Sequence, residues 1–330
     1  MTARDNPEAD VPTLDSTRPS GRRTLVKSMR RVVENDRIPL FFKQLFVMLA
    51  AGPYIEPRGG LLRLLGTDPD ETPVESRYGT KFAADADSSV VTFWLRFRDV
   101  YEPVLSEFIL RHVQPGDTCV DAGANIGYFS LLLAQRVGPS GKVVAIEAAP
   151  DTARFLQTNI ELNGVQRIVE VVEAACAPEK GEMTFYLHPT IDGCSRLTPP
   201  TKGEWDHRRG LEWTPVTVVA DTLTSLLGAD ASAVSFLKVD VEGAETALAP
   251  DIVTGFTHPR LVVALEVRSE IEATLMPFKQ QGFHIYDLHN DYRWIYERKV
   301  PSITAATYED FYRRKSADIL LSRQPLALAR

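Results

Sequence analysis

Cysteine is scarce in this 330-residue chain and scattered where it occurs: Cys119, Cys176 and Cys194 lie far apart and form no C-x-x-C pair. That spacing speaks against a disulfide framework and a zinc ribbon, and a reducing cytoplasm is the expected compartment. Long apolar runs are missing as well. A membrane-spanning helix needs about 20 consecutive apolar residues, and the best stretch, Leu45 to Ala51, is far shorter. Nor is there an excess of positive charge: 37 Lys and Arg stand against 44 Asp and Glu, a net charge of -7. A protein that wraps a duplex carries a dominant basic face, so nucleic acid is not an expected partner. Asp5, Glu8, Asp10 and Asp15 precede any apolar segment, a pattern that fits neither a signal peptide nor a transit peptide. No internal repeat is visible. The six histidines form no recognisable cluster, which leaves His188, His207, His284 and His289 as loop or late-strand candidates for a base. Ser130 and Ser195 lack the setting of a nucleophile elbow, which argues against hydrolase chemistry.

What is present is the composition of an ordinary globular protein, 44% hydrophobic and 25% charged, with enough chain to bury a full core. Residues 1–21 are polar and read as a disordered tail. Residues 22–98 read as an N-terminal helical and β cap. It opens with a basic amphipathic segment, Arg22 to Val33, whose Leu25, Val26, Met29, Val32 and Val33 share one helical face. A second apolar segment follows Pro39, and residues 74 to 98 read as one or two strands. This region is a candidate acceptor or homo-oligomer interface. Residues 99–330 then alternate helices and strands: a helix over Val104 to His112, strands at Cys119 to Asp121, Lys142 to Glu147 and Ile168 to Ala174, and further strands at Val234 to Val239, Leu261 to Val267, Phe283 to Leu288 and Ile319 to Ser322. Early strands with apolar interiors, separated by helices, predict a doubly wound, seven-stranded, mostly parallel α/β sheet of Rossmann-like type whose final strand is free to be antiparallel. An insertion over 182–215 breaks the rhythm, with a strand at Glu182 to Leu187 and a polar loop from Asp192 to Leu211. In that loop Trp205 and Trp213 flank His207-Arg208-Arg209, as a substrate-facing lid or as pins of a surface loop.

Two motifs carry chemistry. Asp121-Ala122-Gly123-Ala124-Asn125-Ile126-Gly127 follows a buried strand and opens a helix, the setting of a glycine-rich turn that a ligand approaches. Glu147 closes the next strand, where a carboxylate accepts hydrogen bonds from ribose hydroxyls. Together they predict an adenosine-containing ligand. A pyrophosphate site wants a second glycine where Asn125 stands, and Asp121 repels phosphate but welcomes a cationic amino acid group. Both deviations favour S-adenosylmethionine over NAD. The second motif is Lys238-Val239-Asp240-Val241-Glu242-Gly243-Ala244-Glu245. In strand geometry Lys238, Asp240 and Glu242 share a face, and Asp240 and Glu266 reach the same sheet edge. Three acidic groups there offer a divalent metal some oxygen ligands, but no histidine joins them at ligand spacing, and no metal is assigned.

Taken in order, these residues resemble the FkbM family of S-adenosylmethionine-dependent methyltransferases. Asp121-x-Gly123-Ala124-Asn125-x-Gly127 followed by Tyr128-Phe129 matches its cofactor turn, and the block from Lys238 to Glu245 its most distinctive stretch. Tyr101-Glu102-Pro103, Asn163-Gly164, Gly193-Cys194-Ser195-Arg196-Leu197 and Asp221-Thr222-Leu223 resemble further landmarks. The likeness covers roughly residues 100 to 325. It implies a class I methyltransferase fold and cofactor contacts from Glu102, Asp121, Gly123, Ala124, Asn125, Gly127, Tyr128, Glu147, Ala148, Ala175 and Asp240. It also implies O-methylation of a hydroxyl on a sugar, glycoside or polyketide, so a small-molecule or carbohydrate acceptor is the expected partner, with Asp240, Glu266 and Lys238 as the catalytic group. Two departures stand out. Glu147 is followed by Ala148-Ala149-Pro150 where the family more often has proline at once, and Ala175-Cys176-Ala177-Pro178 lacks the polar residue usual after the third strand. The competing readings are an NAD-dependent oxidoreductase and a non-catalytic methyltransferase-like subunit.

Overall fold

The computed structural model describes residues 31, 37–38, 73–83, 90–189, 192–201, 212–290 and 300–328. The expected tail over 1–21, the basic segment from Arg22 to Val33 apart from Arg31, the apolar segment after Pro39, and Trp205 with His207-Arg208-Arg209 lie outside the described residues.

Strands β1 (Val74–Glu75) and β2 (Lys81–Phe82) pair as an antiparallel hairpin. The run after them, expected as strand, is helix α1 (Val90–Arg98). Val91 and Leu95 sit one helical turn apart and are both buried, so burial of that stripe overrides the β-propensity of its branched and aromatic residues. The main domain then runs α2 (Pro103–His112), β3 (Thr118–Ala122), α3 (Tyr128–Val137), β4 (Lys142–Glu147), α4 (Pro150–Leu162) and β5 (Val169–Glu173). Next come β6 (Ala175–Cys176), β7 (Gly181–Leu187) and β8 (Thr214–Asp221), followed by α5 (Leu223–Leu227), β9 (Val234–Val239), α6 (Glu245–Gly255), β10 (Val262–Val267), α7 (Ile271–Gln280), β11 (His284–Asp287), β12 (Thr304–Ala305) and β13 (Ala317–Ser322). Among the described residues no helix is long and apolar enough to cross a membrane.

The central sheet has eight strands in the order β12-β11-β13-β10-β9-β3-β4-β5, one more than the sequence predicts. The extra strand is β12, a two-residue edge whose positions are both exposed and therefore carry no apolar signature. Strands β10, β9, β3, β4 and β5 are parallel, and β13 runs antiparallel to both β10 and β11. Side chains alternate across the sheet. Cys119 packs on one face with Leu131, Leu132 and Leu156, while Val120 and Ala122 pack on the other with Leu248, Ile252 and Leu275. Helices α3 and α4 thus cover one face, and α6 and α7 the other. All six residues of β9 are buried, as a central parallel strand requires.

The insertion is more ordered than a strand and a loop. Strands β6, β8 and β7 form a three-stranded sheet, with β8 antiparallel to β7 and parallel to β6. Strand β8 escapes sequence reading because Pro215 stands near its start and much of its length is only partly buried.

Strand order places the functional crevice. From β3 the chain builds β4 and β5 to one side, then crosses to β9 and β10 on the other, so the switch point falls between the carboxyl ends of β3 and β9.

Candidate active site

The turn after β3 is held by backbone hydrogen bonds. Gly123 and Ala124 both donate to the carbonyl of Ile146, at 3.0 and 2.9 Å, and Asp240 N–H donates to the carbonyl of Ala122 at 3.0 Å. Gly123 has φ +77, and a Cβ built on it would stand 1.8 Å from the carbonyl oxygen of Asp240. The close backbone approach that this glycine permits is that of the end of β9. Gly127, at φ +91, likewise serves packing, since a Cβ there would meet Leu156 Cδ1 at 2.5 Å.

A cleft opens at this edge. Its lining includes Gly123, Asn125 and Glu147 together with Asp240, Val241 and Glu242. Glu147 is fixed by two backbone amides: Oε2 accepts from Asn125 N–H at 2.8 Å and Oε1 from Ala149 N–H at 2.9 Å. Asn125, in the left-handed region at φ 50, accepts the Ile126 N–H through Oδ1 at 2.6 Å. Beside Glu147 the cleft is apolar, with Ala148, Ala174, Ala175, Cys176, Phe185 and Leu197. The last two come from the insertion, together with Gly193 and Ser195. Sequence reading assigned none of these four to the site; the signal for Gly193, Ser195 and Leu197 is the Gly193-to-Leu197 landmark, and Phe185 has none.

A second, smaller space lies at Asp240, bounded by Glu102, Lys238, Glu266, Leu288 and Asp318 with Asp240 itself. Asp240 lines both spaces. Lys238 is 5% exposed; its Nζ lies 3.1 Å from Asp240 Oδ2, 3.7 Å from Asp121 Oδ1 and 5.3 Å from the centre of the Phe129 ring. Burial by itself lowers the lysine pKa, but the carboxylates of Asp240, Asp121 and Glu102 outweigh it and hold the ammonium above its ordinary value. Lys238 is thereby held as a buried positive charge among carboxylates. Glu266 forms an ion pair with Arg268 and faces Asp318 across the β10–β13 ladder.

The carboxyl groups here are crowded. Burial pushes Glu102 up to about 8, with Asp318 and Asp240 adding to the shift and Lys238 opposing it. Asp318 rises to about 6 and Glu242 to about 7, burial again leading and Asp240 contributing to both. Asp121, 1% exposed, is raised by burial despite Lys238 and the Ser130 hydroxyl that donates to it at 2.6 Å. For Glu102 the sign is clear. The folded form keeps its proton where the unfolded chain, with the ordinary glutamate value of 4.5, has lost it, so its stabilising contribution is complete below that value and is lost as pH rises through 8. Urea unfolding of wild type and Glu102→Gln between pH 4.5 and 8.5 should show a wild-type stability loss that the variant reduces; parallel curves would refute the assignment.

Gly123, Asn125, Glu147, Ala148, Ala175 and Asp240 thus meet at one cleft, while Glu102, Lys238 and Glu266 meet at the adjoining cavity. Asp121 lies beneath both. Ala124, Gly127 and Tyr128 support the turn from behind it; the Tyr128 hydroxyl stands 3.0 Å from Ser106 Oγ and accepts the Tyr101 N–H at 3.2 Å. Glu242 is not on a strand face, because β9 stops at Val239 and Glu242 turns at φ 52. His284 and His289 are exposed; His188 packs on Trp213 in the insertion, with ring centres 4.7 Å apart.

A doubly wound sheet with its last strand antiparallel, a glycine turn after β3 and an acidic residue closing β4 define a nucleoside-binding domain of the class I methyltransferase type. The family described as Methyltransferase FkbM domain matches residues 121–284. Methyltransferase sdnD of Sordaria araneosa is 31% identical over 197 residues, covering 50% of this chain and 73% of that protein. A Protein-L-isoaspartate O-methyltransferase of Aeropyrum pernix is 46% identical over only 59 residues, 18% of this chain and 23% of the archaeal protein. Among solved structures, a SAM-dependent O-methyltransferase from Thermotoga maritima is 16% identical with a TM-score of 0.38, covering 82% of each chain. The chain belongs to the FkbM family of S-adenosylmethionine-dependent methyltransferases.

The donor set fits that cofactor. Among the described residues no lysine or arginine lines the cleft, whereas Glu147, Asp240 and Glu242 suit a ligand that carries positive charge. A carboxylate accepts hydrogen bonds from the hydroxyls of a ribose.

Proposed function

We propose that this protein is an O-methyltransferase acting on a hydroxyl of a sugar, glycoside or polyketide, with Asp240 as the general base. The observation that carries this reading is the position of Asp240 between the two cavities. Its carboxylate is the one ionisable side chain, among the described residues, that borders both the cleft containing Glu147 and the space containing Glu266 and Leu288.

S-adenosylmethionine supplies an activated methyl group on a positively charged sulfur. The chain supplies the rest. Glu147 fixes the ribose end, and the apolar wall beside it excludes water from the base. The acceptor approaches from the Glu266 and Leu288 side of Asp240, so that its hydroxyl meets the Asp240 carboxylate. A hydroxyl is a weak nucleophile, so taking its proton as the new bond forms is worth about 10²–10⁴ in rate. Lys238 holds Asp240 in orientation through Oδ2, and the low-dielectric setting strengthens that pairing. Holding both reactants across one carboxylate supplies the proximity term, up to about 7–11 kcal/mol in favourable cases.

Calorimetric titration with S-adenosylmethionine, S-adenosylhomocysteine and NAD tests the cofactor half of the reading. The expected result is micromolar binding of the first two and none of NAD, with Glu147→Ala weakening both by at least about tenfold. NAD binding alone would defeat it. A screen of sugar and polyketide alcohols for S-adenosylhomocysteine release tests the acceptor half; binding of cofactor with no turnover on any of them would favour a non-catalytic subunit.

A further inference from the structure

We propose that Ser195 recognises the adenine ring of the cofactor by donating a hydrogen bond from its hydroxyl to a ring nitrogen; the inference rests on the S-adenosylmethionine reading above. The wall beside Glu147 is built of Ala148, Ala174, Ala175, Cys176, Phe185 and Leu197. Such a slot accepts a purine by shape and dispersion. Its aliphatic and aromatic side chains cannot tell one base from another and offer the ring nitrogens no strong hydrogen-bond donor, which discrimination requires. A polar side chain for that role comes from elsewhere in the wall.

The polar side chains that line the cleft are Asn125, Glu147, Ser195, Asp240 and Glu242. Asn125 uses its oxygen on the Ile126 amide and Glu147 is held by the Asn125 and Ala149 amides. Asp240 and Glu242 follow the end of β9, on the methyl-transfer side. Ser195 comes from the insertion. The bridge between Tyr186 and Arg196 ties its arc to β7, the strand that contributes Phe185 to the apolar wall, and Leu197 of the same arc joins that wall. Ser195 therefore stands on the base side of the cleft. Gly193 lets the arc come this close: a Cβ built there would stand 3.2 Å from Asn125 Nδ2, so the arc reaches across to the turn after β3.

The hydroxyl is also set for donation. Ser195 Oγ accepts the His188 N–H at 3.0 Å. A hydroxyl has one proton and two lone pairs, so this bond fixes the oxygen and occupies an acceptor position while the proton stays available. Among the described residues no other hydrogen bond to Ser195 is present. A fixed donor in an apolar wall, next to the ribose-binding carboxylate, matches the acceptor nitrogens of adenine.

The test is calorimetric titration of wild type, Ser195→Ala and Ser195→Thr with S-adenosylhomocysteine and its 1-deaza, 3-deaza and 7-deaza analogues. In wild type one analogue should bind about tenfold more weakly than S-adenosylhomocysteine. Ser195→Ala should lose a similar factor for S-adenosylhomocysteine and show no further loss with that analogue, while Ser195→Thr retains the wild-type pattern. Equal loss across all four ligands would make Ser195 only a support of the arc and overturn the proposal, as would an Ala variant that binds all four like wild type. A wild-type protein that binds S-adenosylhomocysteine but treats every deaza analogue alike also overturns it. If wild type binds none of the four, the cofactor reading itself fails and the proposal falls with it.

Discussion

Asp240→Asn is expected to lower turnover by about 10²–10⁴-fold while S-adenosylhomocysteine affinity stays within about threefold of wild type. The amide has the size of the carboxylate and keeps the backbone bond to Ala122, so the end of β9 stays in place. It cannot take up the acceptor's proton. Lys238 keeps Asp121 at 3.7 Å, which limits the structural cost of losing one partner. The separation of binding from turnover is what distinguishes a base from a cofactor ligand. Full activity in Asp240→Asn would remove Asp240 from the chemistry and direct attention to Glu266. Loss of binding and turnover together would make Asp240 a cofactor contact instead.

Gly123→Ala is expected to destabilise the fold by about 4 kcal/mol or more and to abolish cofactor binding. Two costs combine. The residue sits at φ +77, where an L side chain is strained, and the added methyl would lie 1.8 Å from the Asp240 carbonyl oxygen. That oxygen is backbone at the centre of a parallel sheet, so it cannot swing aside as a side-chain tip would. Relief requires separating the ends of β3 and β9, which breaks the Asp240 N–H bond to Ala122 and moves the residue proposed as the base. Urea unfolding and calorimetry measure the two effects. A variant of wild-type stability that still binds S-adenosylhomocysteine would show that the β3–β9 contact is not the reason for this glycine.

The parallel strands β3, β4, β5, β9 and β10 were legible because their signals are local. Strand β4 reads from its own sequence, with Lys142 and Glu147 at the ends of an apolar run, and β9 likewise between Val234 and Val239. Parallel strands buried on both faces are continuous apolar segments, the easiest strand signal to see. Helix α1 was misread because Val, Thr, Phe and Trp favour strands in isolation, and only the burial of Val91 and Leu95 against the domain decides otherwise. Strand β8 was missed for a related reason: a half-exposed strand beside an inserted loop has neither a continuous apolar run nor tight bounds.

The sequence by itself determined the sheet, the turn from Asp121 to Gly127, the carboxylate at Glu147 and the block around Asp240, because each depends on residue type at fixed spacing along one segment. The tertiary structure alone decided which of these meet. It brought Asp240 against Gly123 across more than a hundred residues, placed Lys238 between three carboxyl groups, paired Glu266 with Asp318, and carried Ser195 and Leu197 of the insertion into the cofactor cleft. Those contacts follow from strand order and from how the inserted sheet packs, and a linear pattern of residue types holds no record of either.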